Sequence, residues 1–276
     1  MKTLIIGYGN MGQTYANSFV SSRFIAPSDI TVLTRSDIGE KTLFSIDKNN
    51  FHKTPSKSIF DVDIIIVAVK PQDFSLLANE IKPFIRKEHL ILSVMAGVTL
   101  KSIQEKLGCD KVVRSMPNIP TQIGLGMTVF CASPTVDRKE LFIIQNLINT
   151  TGKSIYIDKE QMLNATTAVS GSGPAYVFYF MNAMIQSAID LGFSKSEAEF
   201  LVSQTFIGAV QLQNRSDLSH VEWIKKVASK GGTTEAALKV FDYNSIEVAI
   251  KSGVEAANKR AEELGNKKSR FQNRDS

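Results

Sequence analysis

Short runs of consecutive apolar residues recur through the first half of the chain. Because these runs are continuously apolar rather than alternating, they predict strands that are buried on both faces of a parallel sheet. The segments between them have helical spacing, and this alternation predicts a doubly wound α/β domain. The predicted strands lie at 4–6, 30–33, 64–69, 90–94 and 112–113, with further ones at 127–131 and 154–157, and the predicted helices at 73–81 and 99–107.

After about residue 158 the strand-like runs disappear and helix signals follow one another. Pro174 suits the first turn of a helix that ends near Leu191, with Gly192 as its stop. Two capping boxes and a looser version of one predict three more helix starts. They are Ser194-x-x-Glu197, Ser219-x-x-Glu222 and Asn244-x-x-Glu247.

The predicted helix at 175–191 is apolar almost all round, so most of its surface must be buried. A helical domain of little over a hundred residues offers too little of its own chain for this, and we expect a partner subunit to cover the helix. The patterns together predict an α/β domain at 1–158, an all-helical dimerisation domain at 159–265 and a basic, disordered tail at 266–276.

The net charge of +5 does not indicate a nucleic-acid partner. The last twelve residues carry a net +3, so only +2 remains for the other 264, where no basic helix or arginine-rich stripe occurs. We expect the tail to be a solvated end rather than an anion-binding arm.

Composition narrows the class of protein further. Apolar residues make up 43% and charged residues 21%, which is typical of a globular protein. Cys109 and Cys131 cannot form a disulfide framework, and the three scattered histidines do not form a metal-binding motif. No signal peptide or membrane span is predicted. We therefore expect a reduced, cytoplasmic protein without a metal or a membrane partner.

A glycine motif opens the chain directly after the first predicted strand. Its glycines allow a tight turn, a close approach of a pyrophosphate and close packing of helix on strand, and the helix start offers free N–H groups. A glycine-rich turn without a ligand is the alternative. This context favours a Rossmann domain, with the pyrophosphate held by Gly7, Tyr8, Gly9, Asn10, Met11 and Gly12.

The end of the second strand indicates which dinucleotide is bound. Enzymes that use NAD(H) usually place an acidic residue here for the ribose, whereas this chain has Thr34, Arg35 and Ser36. A guanidinium and a hydroxyl suit the 2′-phosphate of NADP(H). A surface arginine is the alternative interpretation, and the nearby Asp37 keeps NAD(H) open as a second cofactor.

Further candidates follow the later strands, at the sheet edge where open α/β folds bind ligands. The Asn118 amide could face the nicotinamide, and Lys70 is either a site residue or a solvated loop lysine. These candidates are Ala68, Val69, Lys70, Pro71, Ala96, Gly97 and the segment 114–120.

Two small-residue segments begin helices in the second half. The segment 170–176 lets backbones approach closely. The segment 229–237 places three hydroxyls around Gly231 and Gly232, which favours an anion-binding nest for a small carboxylate over a plain helix cap.

In order, the motifs GxGNMG, AVKP, AG, RxMPNxP, GSGPAY and SxGGTT resemble those of the pyrroline-5-carboxylate reductase family, from residue 4 to about 263. The resemblance implies reduction of 1-pyrroline-5-carboxylate to L-proline by NADPH, the last step of proline biosynthesis. It also implies a homodimer or higher homo-oligomer, with the substrate site at the dimer interface.

Site roles carried over from the family follow the same motifs. Residues 68–71, 96–97 and Asn118 would line the nicotinamide pocket, with Met116 nearby, and the Thr234 hydroxyl would lie beside the ring nitrogen. The substrate carboxylate would be held by Ser229, Lys230, Gly231, Gly232 and Thr233.

The chain departs from the family pattern at a few positions, which are Asn164, Lys226, Ala228 and Lys230. These departures keep open a catalytically altered regulatory homologue of the late-competence type. A β-hydroxyacid dehydrogenase is a further alternative, although the stretch 176–190 lacks the catalytic lysine of that class.

Overall fold

A computed structural model describes residues 1–36 and 46–272, with side chains through residue 264. The chain divides into two compact units. Unit 1 comprises Met1–Ser172 and the chain from Ala257 onward, and unit 2 comprises Gly173–Ala256.

Unit 1 is built on an eight-stranded sheet in the order β3-β2-β1-β4-β5-β6-β7-β8. The first six strands are parallel, β7 runs antiparallel to β6, and β8 runs parallel to β7. The strands are β1 Thr3–Ile6, β2 Ile30–Leu33, β3 Phe51–His52, β4 Ile64–Val67, β5 Leu90–Ser93, β6 Val112–Met116, β7 Gly126–Ala132 and β8 Gly152–Tyr156.

Helices cover the sheet and form unit 2. In unit 1 they are α1 Asn10–Ser21, α2 Phe74–Ile81, α3 Leu100–Leu107, α4 Arg138–Asn149 and α5 Met162–Thr166, followed by a π-helical turn at Thr167–Gly171. The later helices are α6 Gly173–Asp190, α7 Lys195–Gln213, α8 His220–Val227, α9 Thr233–Tyr243 and α10 Ile246–Gln272.

Strand β4 shows why the central strands are mostly apolar. Ile64 and Ile66 pack into one core cluster with residues of α1, whereas Ile65 and Val67 pack into a second cluster with residues of α2. Successive side chains of a strand point to opposite faces, so a sheet covered on both faces favours apolar residues at successive positions. The doubly wound α/β prediction is confirmed.

Two of the three helix starts predicted from capping boxes are confirmed. Ser194 and Ser219 both form reciprocal capping boxes at the starts of α7 and α8. The looser box at Asn244 is wrong, because Asn244 closes the end of α9 and donates its side-chain amide to the Val240 carbonyl at 2.8 Å. Ser245, in the left-handed region with φ of 53°, turns the chain into α10.

The first compact unit continues fourteen residues past the predicted boundary at 158. Leu163 of α5 is fully buried and packs with Val129 and Cys131 of β7. Glu160 joins the same region by accepting hydrogen bonds from Arg114 Nη1 at 2.7 Å and from the Leu100 backbone N–H at 2.8 Å. The boundary therefore depends on long-range contacts that the local change from strands to helices does not reveal.

The end of the chain is described as far as Gln272, where α10 ends. The disordered tail expected from residue 266 stays a prediction. Among the described residues, no helix is long and apolar enough to cross a membrane.

Both cysteines are free and buried. Cys109 packs near the end of α3, and Cys131 lies on β7. Burial raises the pKa of the Cys109 thiol, and it raises the pKa of Cys131 to about 11.

His89, just before β5, is 1% exposed and fully engaged in hydrogen bonds. Its Nδ1 accepts from the Arg86 backbone N–H at 2.9 Å, which leaves Nε2 as the protonated nitrogen facing the Phe60 carbonyl at 3.0 Å. Burial lowers the pKa of His89, because a second proton would place an uncompensated charge in this environment.

We expect the free energy of unfolding to decrease as the pH falls from about 7 to about 5.5. The unfolded histidine, with a pKa of about 6.5, takes up a proton that native His89 does not, and one such proton gives a slope of at most about 1.4 kcal/mol per pH unit. Urea unfolding at several pH values measures this slope.

A matched pair of variants assigns the effect. His89→Gln should flatten the slope while lowering stability throughout, whereas His220→Gln, at the exposed start of α8, should retain it. A slope that survives His89→Gln would contradict the assignment.

Candidate active site

The turn between β1 and α1 brings two backbone segments close together at the sheet edge. Gly7 has φ of +93°, in the left-handed region, and a Cβ there would lie 2.9 Å from the Ala68 carbonyl carbon and oxygen. Its N–H donates to the Leu33 carbonyl at 2.9 Å. Only glycine fits this position, where the ends of β1, β2 and β4 meet.

The other two motif glycines have different roles. A Cβ on Gly12 would lie 2.0 Å from the Gly7 oxygen, so Gly12 is required for the helix to start this close to the strand. A Cβ on Gly9 would meet nothing within 4 Å and would project into open space. Beside this space, the first turn of α1, with Asn10 and Met11, has N–H groups that lack intrahelical partners. The residues fit a pyrophosphate.

A groove runs from this turn along the carboxyl ends of β1, β2 and β4. It brings together nine of the predicted cofactor residues: Gly7, Tyr8, Gly9, Thr34, Arg35, Ser36, Ala68, Val69 and Lys70. Tyr8 packs edge-on against Phe51 at 5.2 Å, and burial raises the pKa of its hydroxyl to about 12. Asp37, the residue that kept NAD(H) open, lies outside the described residues.

Charged residues that the sequence analysis missed also line this groove. Glu80 of α2 pairs with Arg35 at 2.7 Å between Oε1 and Nη2, and Lys53 adds a further cation on the β3 side. Neither residue belongs to a motif. Both are brought to the groove by elements distant in sequence, which no local spacing predicts.

The remaining residues of this edge follow β4 and β5 in neighbouring positions. Val67 pairs with Ser93 in the sheet, so the segments after these strands leave side by side. Lys70 is exposed, and Pro71 starts a short 3-10 turn that leads into α2. Gly97 has φ of +71°.

Asn118 is anchored within unit 1. Its side-chain Nδ2 donates to the Ser170 carbonyl at 3.1 Å, and its Oδ1 accepts from the Met127 backbone N–H at 2.9 Å. These bonds fix the orientation of the amide and leave it a second N–H donor, and its contact with the nicotinamide stays a prediction. Met116, at the end of β6, lies close to Gly171. A Cβ on Gly171 would be 2.9 Å from the Cε of Met116.

In unit 2, the segment 229–234 forms a tight turn at the start of α9. Gly231 has φ of +75°, and a Cβ on Gly232 would lie 2.5 Å from the Ser229 Oγ. Thr234 is half-buried, whereas Thr233 and Lys230 are exposed.

Glu235 modifies the predicted carboxylate nest. Its carboxylate accepts a hydrogen bond from the Gly231 N–H at 2.5 Å and pairs with Lys239 at 3.2 Å. The signal for it was present, because a glutamate three residues after a helix N-cap commonly reaches back to the turn. One of the two unusual lysines is also engaged, since the Lys226 Nζ lies 5.0 Å from the centre of the Trp223 ring.

Comparison with known proteins identifies the family. Residues 160–264 match a family model described as pyrroline-5-carboxylate reductase dimerisation, and residues 2–97 match one described as NADP oxidoreductase, coenzyme F420-dependent. A pyrroline-5-carboxylate reductase from Pseudomonas aeruginosa is 33% identical over 264 residues, which are 94% of this chain and 95% of that protein.

Solved structures give the same result. A pyrroline-5-carboxylate reductase from Coxiella burnetii matches with a TM-score of 0.86 and 30% identity, over 95% of this chain and 98% of that one. The Plasmodium falciparum pyrroline carboxylate reductase, solved with NADP bound, matches with a TM-score of 0.85 and 28% identity, over 96% and 98%. The predicted resemblance is confirmed, and this chain belongs to the pyrroline-5-carboxylate reductase family.

Proposed function

We propose that this chain reduces 1-pyrroline-5-carboxylate to L-proline with NADPH. The observation that carries the proposal is a likeness to reductases of this name that extends over nearly the whole chain rather than over the dinucleotide domain alone. These relatives support a reductase over a β-hydroxyacid dehydrogenase or a regulatory homologue. Cytoplasmic location and the absence of nucleic-acid partners stay predictions from the sequence.

The groove of unit 1 supports the choice of cofactor. We assign the pyrophosphate to the turn at residues 7–12, where Gly9 leaves open space and α1 presents its first N–H groups. Arg35 and Ser36, at the end of β2, are assigned to the 2′-phosphate, since a guanidinium forms charge-assisted hydrogen bonds to it.

The nicotinamide half is assigned to the edge beside this groove. Residues 68–71 and 96–97 leave the sheet from the adjacent strands β4 and β5, which places both segments at one edge. Met116 ends the next strand and is kept as a substrate contact. When bound, NADPH supplies the hydride that adds to the imine carbon.

The reduction of the imine does not require a strongly acidic or basic side chain. A protonated cyclic imine is already electrophilic, so the protein must chiefly align the substrate and exclude water. We propose that the Thr234 hydroxyl hydrogen-bonds to the ring nitrogen, which changes from an iminium to an amine during the reaction. No strong general base is required.

The turn before α9 is proposed to hold the substrate carboxylate. Its donors are the hydroxyl of Ser229, the charged group of Lys230 and the backbone N–H groups of residues 231–233, of which that of Gly232 also donates to the Ser229 carbonyl at 3.0 Å. The Gly231 N–H is paired with Glu235 in this structure, so its use requires that the carboxylate of Glu235 move aside. Such a helix start favours the binding of an anion, because several backbone N–H groups converge there.

Homodimerisation is proposed to use the helices of unit 2. An apolar groove on α6 and the start of α10 is exposed, and exposed patches of this kind commonly mark protein interfaces. The match to a dimerisation model over 160–264 supports a homo-oligomer. The groove is lined by Tyr176, Tyr179, Phe180, Ile246, Ala249, Ile250, Gly253 and Val254.

A steady-state assay tests the function directly. We expect NADPH to be oxidised only when 1-pyrroline-5-carboxylate is present, with proline as the product and with NADPH preferred to NADH. Binding of NADPH without turnover would favour a regulatory homologue. Oxidation of a β-hydroxyacid in place of imine reduction would favour a dehydrogenase.

Thr234→Ala should lower kcat/KM by about tenfold or more, the scale of one hydrogen bond to a charged partner. A bond that strengthens as the nitrogen changes charge is lost mainly from kcat. Thr233→Ala is the matched control and should cost less, because we assign Thr233 through its backbone. NADPH affinity, measured by fluorescence, should stay near that of the unmodified protein in both. A larger loss for Thr233→Ala than for Thr234→Ala would contradict the assignment of the Thr234 hydroxyl to the ring nitrogen.

Light scattering at micromolar concentration should show a dimer or a larger assembly. Tyr179→Glu, which places a charge in the apolar groove, should reduce the mass. Leu76→Glu, on an exposed face of α2 in unit 1, is the control and should leave it unchanged. A monomer with full activity would contradict the proposed interface.

A further inference from the structure

We propose that Glu80 limits the preference of this protein for NADPH over NADH by competing with the 2′-phosphate for Arg35. The inference rests on the proposed cofactor, and it assigns a role to a residue outside every motif. It follows from the position of Glu80, from the weakness of its ion pair and from the balance of charge in the groove.

Glu80 lies beside the residue assigned to the 2′-phosphate. Arg35 follows β2 and Glu80 lies near the end of α2, so the pair joins two separate elements that border the same groove. Thr34 and Ser36 beside Arg35 line this groove as well. A phosphate bound by Arg35 therefore lies within a few ångströms of the Glu80 carboxylate.

The ion pair is easily exchanged. The Arg35 side chain is 63% exposed and that of Glu80 is 46% exposed, and an ion pair so open to water contributes little to stability. A phosphate dianion can accept two parallel hydrogen bonds from a guanidinium and is the stronger partner. NADPH can thus displace Glu80 from Arg35, whereas NADH has no group with which to do so.

Charge in the groove gives the direction of the effect. Arg35, Lys53 and Lys70 line it together with Asp73 and Glu80, so the acidic residues offset much of the positive charge that a 2′-phosphate requires. The carboxylate of Glu80 both occupies a donor of Arg35 and repels the incoming dianion. Removing its charge should therefore favour the phosphorylated cofactor and should affect the other one little.

Binding of two nucleotide fragments tests this apart from the reaction. Titration calorimetry with 2′,5′-ADP and with 5′-AMP compares ligands that differ only in the 2′-phosphate. Glu80→Gln should tighten 2′,5′-ADP by about three- to tenfold, the scale of one like-charge contact in a hydrated groove. The affinity for 5′-AMP should change by less than about twofold.

Two further variants fix the interpretation. Glu105→Gln changes the net charge equally on α3, outside the groove lining, and should leave both affinities unchanged. In an Arg35→Ala background the gain from Glu80→Gln should be smaller, because only the repulsion between Glu80 and the dianion remains. A gain that persists in full would mean that Glu80 does not act through Arg35 and would overturn the proposal.

The other possible results of the titrations also test the proposal. Weaker binding of 2′,5′-ADP by Glu80→Gln would mean that Glu80 holds Arg35 in position for the phosphate, and it would overturn the proposal. Unchanged binding would overturn it as well while leaving the proposed reductase activity intact. An unmodified protein that bound neither fragment would instead contradict the proposed cofactor, and the role of Glu80 with it.

Discussion

The close approach of two backbone segments, the Gly7 turn and the end of β4 at Ala68, is the constraint on which the site depends. It leaves no room for a Cβ on Gly7, and the start of α1 leaves none on Gly12. With these contacts made, the first turn of α1 lies against the edge at which β1, β2 and β4 all end. The glycine turn at this end of the groove follows from these two contacts.

The sequence predicted those parts of the structure whose causes are local. Strands covered on both faces are largely apolar, so β2 was predicted with its observed bounds and most others to within two residues. Ser194 and Ser219 form capping boxes because the bonds span only three residues. The glycine turn was predictable from its short spacing, since Gly12 meets the Gly7 carbonyl five residues before it, although Gly7 itself is confined by the distant Ala68.

The sequence did not reveal contacts in which a side chain finds its partner far along the chain. Glu80 meets Arg35 across forty-five residues, and Asn118 reaches Ser170 across fifty-two. A polar residue at a loop beside a ligand edge resembles a site residue in sequence, whether its partner is a ligand or a distant carbonyl. Likewise, Leu163 packs on β7, and nothing in its neighbourhood in sequence records that contact.

The reactivity of the two buried thiols can be used to measure local opening of the protein. A thiol alkylating reagent requires an accessible thiolate, and both Cys109 and Cys131 are enclosed and have raised pKa values. Their alkylation therefore proceeds only through states in which the sheet has locally opened. A cysteine introduced on the surface would react far faster, so a spectroscopic label could be attached at one chosen position without removing either native cysteine.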